Sequence, residues 1–264
     1  MEMTFQQYID NPLGRKNAAF SQRDAFKRMF TEKFDKVLLR EAGKINFTLY
    51  VDKSKDRYVA HIKVPSETVK DFYYDAVIMF YTDDPAQHSA SNLNGYYVKF
   101  FSNDPAFVYT YLYVFLQNDL FFEDLKPKSS KLALTKKPSE KNPFGIPGYS
   151  KILYFAFLYM KQKNMFQKYM FKEYAKPYSA RELLQHVDHC DEKIAQRQER
   201  GAMQAKEESR ARREEKHKTA TESREKKLNN LSGGNVKVAP KVGVAKTVKR
   251  TPMAKTAKVA VKKK

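Results

Sequence analysis

The aromatic residues stop at Tyr178. All 17 Tyr and 19 Phe of the 264-residue chain lie at or before that position. Rings supply much of the buried area of a protein core, so the sequence predicts a folded body over residues 1–178 and something else beyond it. The remainder of the chain has two parts: a charged stretch, residues 179–231, and a tail from Ser232 to Lys264. The tail contains ten Lys/Arg and no acid, alternating with Ala, Val, Thr and Pro. Such a segment buries too little apolar surface to offset the entropy of ordering, and is expected to be disordered in isolation.

Charge has the same division. Of the formal net charge of +20, the tail carries +10, residues 191–231 carry +3, and residues 1–190 the remaining +7. A basic tail on a mildly basic body points first to nucleic acid, with an anionic membrane or an acidic protein as competitors. The candidate phosphate-binding residues are Lys237, Lys241, Lys246, Lys249, Arg250, Lys255, Lys258, Lys262, Lys263 and Lys264. Ten contacts would set the salt slope on duplex DNA at no more than about 9 in magnitude. No side chain there is held in a fixed frame to read bases, so binding without sequence preference is expected.

Within the body, Ser21 and Asp24 open a helix predicted to run to about Ala42, with Phe26, Met29, Phe30, Phe34, Val37 and Leu38 on one face. Residues 1–19 read as a lead-in. Alternation then gives two strands, Ile45–Val51 and Arg57–Val64, joined by a short polar link as an antiparallel hairpin. Phe72–Tyr81 reads as a strand buried on both faces, and Gly95–Phe101 as a fourth. Asp104 and the Pro105 after it cap a helix through Leu116, although Val108–Val114 would also suit a strand. A Lys/Pro/Ser/Asn-rich connector, 127–147, leads to helices at Gly148–Lys161 and Met165–Ala175. Ser179 with Glu182 forms a capping box and starts a single long helix. Its short apolar seam is Leu183, Leu184, Val187, Cys190 and Ile194. Beyond the seam stand Glu-first i,i+4 pairs at Glu208/Arg212, Glu214/Lys218 and Glu222/Lys226. The resulting fold class is α+β, a mainly antiparallel sheet with packed helices, then the long charged helix and the basic tail.

Several local patterns bear on chemistry. HVDHC (186–190) places His186, His189 and Cys190 on one side of a helix, but structural zinc takes four ligands and no second pair stands elsewhere; packing of Cys190 on the body is the expectation. FGIPG (144–148) sets glycines before a helix N-terminus, where a phosphate could sit, but a tight turn explains it better than the GxxG loop of a KH domain. NGYYVKFF (94–101) has an RNP1-like spacing in which Tyr97 or Phe101 would stack on bases; ordinary sheet packing is the simpler account. Asp83–Asp84 and Glu123–Asp124 read as solvated loop acids. No P-loop, nucleophile elbow, HExxH or CxxC pair occurs, so no catalytic residue and no cofactor or metal is expected. One cysteine excludes an internal disulfide. No signal peptide is read at the start, and the longest apolar run, Ile152–Met160, is far short of the roughly 20 residues of a membrane span.

The tail resembles the lysine/alanine/proline tails of linker histones and histone-like bacterial proteins, which implies DNA condensation or tethering. Three further stretches, NPLGRKNA (11–18), SNDPAF (102–107) and NPFGIPGYSK (142–151), resemble virion structural proteins of tailed bacteriophages. That resemblance implies an assembly subunit of the virion or host cytoplasm that meets packaged nucleic acid or other structural subunits, including copies of itself. The expected function is therefore a non-enzymatic structural or assembly protein gripping nucleic acid through its basic C-terminal arm. The alternatives are a free DNA- or RNA-binding protein, or an enzyme using the tail as a substrate tether.

Overall fold

The computed structural model describes residues 3–10, 45–138, 142, 145, 147–148 and 150–231. The helix expected over residues 21–42 and the basic tail lie outside them. Two compact units divide the chain, Met1–Ser209 and a second beginning at Arg210.

The first unit is built on a five-stranded sheet. Its strands are β1 (Asn46–Asp52), β2 (Arg57–Pro65), β3 (Tyr73–Tyr81), β4 (Tyr97–Ser102) and the two-residue β5 (Lys176–Pro177), in the spatial order β4-β3-β2-β1-β5. The first four pair antiparallel, and β5 joins β1 in parallel. The hairpin stands where alternation placed it, with Phe47 opposite Ile62, Leu49 opposite Ala60 and Val51 opposite Tyr58. Its turn is held by Asp52, whose Oδ1 accepts from the Ser54 amide at 3.1 Å and its hydroxyl at 2.6 Å. Asp56 then takes a positive φ of 43°.

Helices cover one face of the sheet. α1 (Phe5–Asp10) sits in the core although its segment reads as a lead-in: Phe5 meets Phe80 edge-on at 5.3 Å, and Tyr8 meets Phe100 at 4.5 Å. Beyond β3, Asp84 caps α2 (Pro85–His88) by accepting from the Ala86 amide at 2.9 Å. Asp104 caps the segment after β4, accepting from the Ala106 and Phe107 amides at 2.9 and 3.1 Å. The helical reading of this segment prevails: a wide π-type turn, Phe107–Tyr111, runs into α3 (Leu112–Gln117). A short 3₁₀ segment (Glu123–Lys128) and α4 (Lys131–Thr135) come next. Ser150 caps α5 (Lys151–Gln162), which buries Ile152, Leu153, Phe155, Ala156, Phe157, Tyr159 and Met160. Its Phe157 meets Phe100 edge-on at 5.6 Å. α6 (Lys168–Tyr174) leads into β5.

The opposite face carries Tyr50, Val59, His61, Val77 and Phe101, all buried. Phe121 packs on Phe101, and Tyr178 on both Tyr50 and Phe122, with ring centroids 6.4–6.5 Å apart. α7 (Ala180–His186) packs on the 3₁₀ segment. Its Ser179 cap is present, the hydroxyl oxygen accepting from the Glu182 amide at 3.3 Å. The single long helix expected from Ser179 is two: α7 ends at an extended Val187, and α8 (Cys190–Leu231) begins after it.

Candidate nucleic-acid interface

The break between α7 and α8 is made by tertiary hydrogen bonds. A carboxylate near the start of β3, Asp75, is buried together with His61 on β2 and Asn103. Asp75 Oδ1 lies 2.8 Å from His61 Nε2, and its Oδ2 accepts from Asn103 Nδ2 at 2.7 Å. The Asp188 amide also donates to Asp75 Oδ2, at 3.3 Å, and the Asp188 carbonyl accepts from Asn103 Nδ2 at 3.2 Å. Both backbone groups of Asp188 are thus taken from the helical ladder and given to the side chains of Asp75 and Asn103. Burial alone would raise the Asp75 pKa, but the hydrogen bond and charge of His61, helped by Lys193 and Lys63, hold it below the usual carboxylate range.

The first turns of α8 continue this attachment. Lys193 donates to Asp188 Oδ2 at 2.7 Å and sits 4.8 Å from the centre of the Phe72 ring. Arg200 covers the same ring at 5.6 Å and donates to the Asp71 carbonyl at 2.8 Å. Gln204 Oε1 accepts from the Lys70 amide at 3.3 Å. Gly201 lies half-buried opposite Val69. Cys190, Lys193, Arg197, Gly201 and Gln204 recur at three- and four-residue spacing, a helical stripe whose Lys193, Gly201 and Gln204 meet Phe72, Val69 and Lys70 in the loop between β2 and β3. The aromatic break at Tyr178 hides this stripe, because cationic side chains over a ring and a glycine against a valine carry no apolar periodicity. The compact unit accordingly extends to Ser209.

From Arg210 to Leu228 every side chain is exposed. None of the Glu-first pairs expected at Glu208/Arg212, Glu214/Lys218 and Glu222/Lys226 closes as an ion pair among the described residues. The contact that forms is Arg210 Nε to Glu214 Oε1 at 3.0 Å. Exposed i,i+4 pairs contribute only a few tenths of a kcal/mol, too little to hold long side chains out of water. The ten expected phosphate-binding residues, Lys237 to Lys264, lie outside the described residues.

The body also has a cleft of about 540 Å³ at the hairpin end of the sheet, lined by Lys53, Lys55, Arg57, Tyr81, Asp83 and His88 among others. Its floor is Asp56, which accepts from both Tyr96 and Tyr58 hydroxyls and has Lys168 Nζ at 3.9 Å. Burial pushes both phenols up, and their bonds to Asp56 add to this. The cations here are largely matched: Arg57 has Asp124 at 3.6 Å, and Asp56 and Asp83 share the lining. The field of this cleft is weak beside that of a segment with ten cations and no acid.

The other sequence patterns resolve structurally. His186 belongs to α7 and Cys190 to α8, so they do not share a helix face. Cys190 is fully buried, and burial pushes its thiol up to about 12. Among the described residues no group of three or more His, Cys, Asp or Glu could hold a metal ion. Phe101 is buried and inaccessible for stacking; Tyr97 is half-buried, 5.6 Å from Tyr81. Part of the 144–148 turn lies outside the described residues; Gly145 has a φ of 65°, the Gly148 carbonyl accepts from the Tyr8 hydroxyl, and Lys151 pairs with Glu67. Asp124 is not a free loop acid, since it accepts from the Tyr178 hydroxyl at 2.5 Å. No helix among the described residues is long and apolar enough to cross a membrane.

Comparison with protein-family models, curated proteins and solved structures finds no match for this chain.

Proposed function

We propose that this protein is a non-enzymatic structural or assembly subunit that holds nucleic acid through its C-terminal arm, in the manner its resemblance to phage virion proteins suggests. One observation carries the reading: a helix exposed from Arg210 to Leu228 leads into 33 residues with ten cations and no acid. Counterion release from phosphates gives such a segment affinity without requiring a fixed structure. Both faces of the body's sheet are covered, which suits a part that folds and assembles while charge is supplied elsewhere.

The test is deletion of Ser232–Lys264, then titration with random-sequence duplex DNA at several salt concentrations near ~100 mM, where the Debye length is about 10 Å. The expected result is loss of most binding and of most of the salt slope, with the thermal midpoint of the body unchanged. An unaltered binding curve would overturn the assignment to the tail.

A further inference from the structure

The second unit's helix separates its charges by face. At about 100° per residue, Arg210, Arg212, Arg213, Lys216, Arg224 and Lys227 fall within an arc of about 160°, together with His217. No carboxylate enters that arc. Glu214, Glu215, Glu222 and Glu225 all fall in an arc of about 100° on the other side, with Lys218 among them and Lys226 at its edge. All of these side chains are exposed. Of the six cations, only Arg210 reaches a carboxylate among the described residues, Glu214 at the border between the arcs. A sequence serving solubility alone gains nothing from this sorting; alternating signs around the helix would make more i,i+4 pairs.

We infer that this basic face is itself a binding surface, lying along the phosphates of duplex nucleic acid. The inference rests on the same polyanion partner proposed for the tail but on different residues. Three observations choose the partner. No aromatic residue stands beyond Tyr178, so the face lacks the stacking platform that single strands use. Between Arg210 and Leu228 the apolar side chains are Ala211, Ala220 and Leu228, too few for a helix that buries an apolar face in a membrane surface. The cations are spread over about 26 Å of helix at 1.5 Å per residue, a length that meets roughly eight base pairs of a duplex at 3.4 Å per strand charge. The carboxylates on the far side then face solvent, away from the phosphates.

The experiment holds composition fixed and destroys only the sorting. In the full chain, Arg213→Glu with Glu215→Arg and Arg224→Glu with Glu225→Arg leave net charge unchanged but move two cations off the face. A control, Glu222→Lys with Lys226→Glu, exchanges charges within the acidic side. Binding of a labelled 30-base-pair duplex of mixed sequence is measured by fluorescence anisotropy across salt concentrations. At about 0.9 counterions per phosphate contact, the exchanged chain should lose about two units of salt slope and bind roughly 60-fold more weakly at ~0.1 M salt. The control should match the parent. Should circular dichroism show that the exchange melts the helix, Arg213→Gln with Arg224→Gln replaces it, with the same expected loss of slope. Equal affinity and slope for parent and exchanged chain would overturn the inference. Because the tail is intact in every variant, that failure is distinct from failure of the tail deletion.

Discussion

Replacing Asp75 by Asn removes a buried charge while leaving the side chain's shape unchanged. The parent carboxylate accepts from His61, Asn103 and the Asp188 amide at 2.8, 2.7 and 3.3 Å. An amide offers one acceptor oxygen in place of two, so the charge-assisted bonds are lost and its NH₂ group faces either His61 Nε2 or the Asn103 and Asp188 donors. Hydrogen bonds to a charged group contribute about 1.5–3 kcal/mol. For a folded unit of this size, with about 2–4 °C per kcal/mol, the thermal midpoint should fall by roughly 6 °C. Urea unfolding of the full chain measures the free energy directly. Limited proteolysis adds a local readout, because cleavage within residues 187–204 should accelerate as the Asp188 anchor weakens. The acid limb of the stability profile reports on the same group. The folded pKa of Asp75 lies below its ordinary value, so its contribution is present above the unfolded pKa, near 3.9, and is lost as pH falls through the folded value. Asp75→Asn should therefore destabilise the chain at neutral pH and flatten its acid limb. A loss below about 1 kcal/mol at pH 7, with an unchanged acid limb, would refute the view that this carboxylate ties the base of α8 to the sheet.

Two further outcomes concern the same region. Gly201→Ala should stabilise the first unit by about 0.8–1.0 kcal/mol, the helix propensity difference, because a Cβ there would stand 4.0 Å from Val69 Cγ2 without a clash; a lowered thermal midpoint would show that the contact is tighter than this geometry. Cys190, fully buried and with its thiol pushed up to about 12, should resist a thiol-specific reagent at pH 8 in the native chain and react fully in urea, since the thiolate is the nucleophile. Rapid stoichiometric labelling of the native chain would contradict that burial.

Sequence and structure divide the explanation along the range of the interactions. Strand alternation in β1 and β2 was legible because each strand's pattern depends on neighbours two residues away, and the caps at Asp104 and Ser179 were legible because their partners lie two or three residues on. Charge is likewise a property of composition, so the case for the basic arm needs no coordinates. The helical period that sorts Arg213 and Arg224 from Glu215 and Glu225 is also present in the sequence, but pairwise i,i+4 reading passes over it because that reading looks for attraction rather than for faces. Tertiary structure alone decided where the long helix breaks, because the groups that capture Asp188 stand on Asp75 and Asn103, 113 and 85 positions earlier. It also decided that Phe5 and Tyr8 join the core and that Lys193 and Arg200 lie over Phe72. A cation on a ring, or a carboxylate shared by three distant donors, leaves no periodic trace in a chain. Only folding brings such partners within reach.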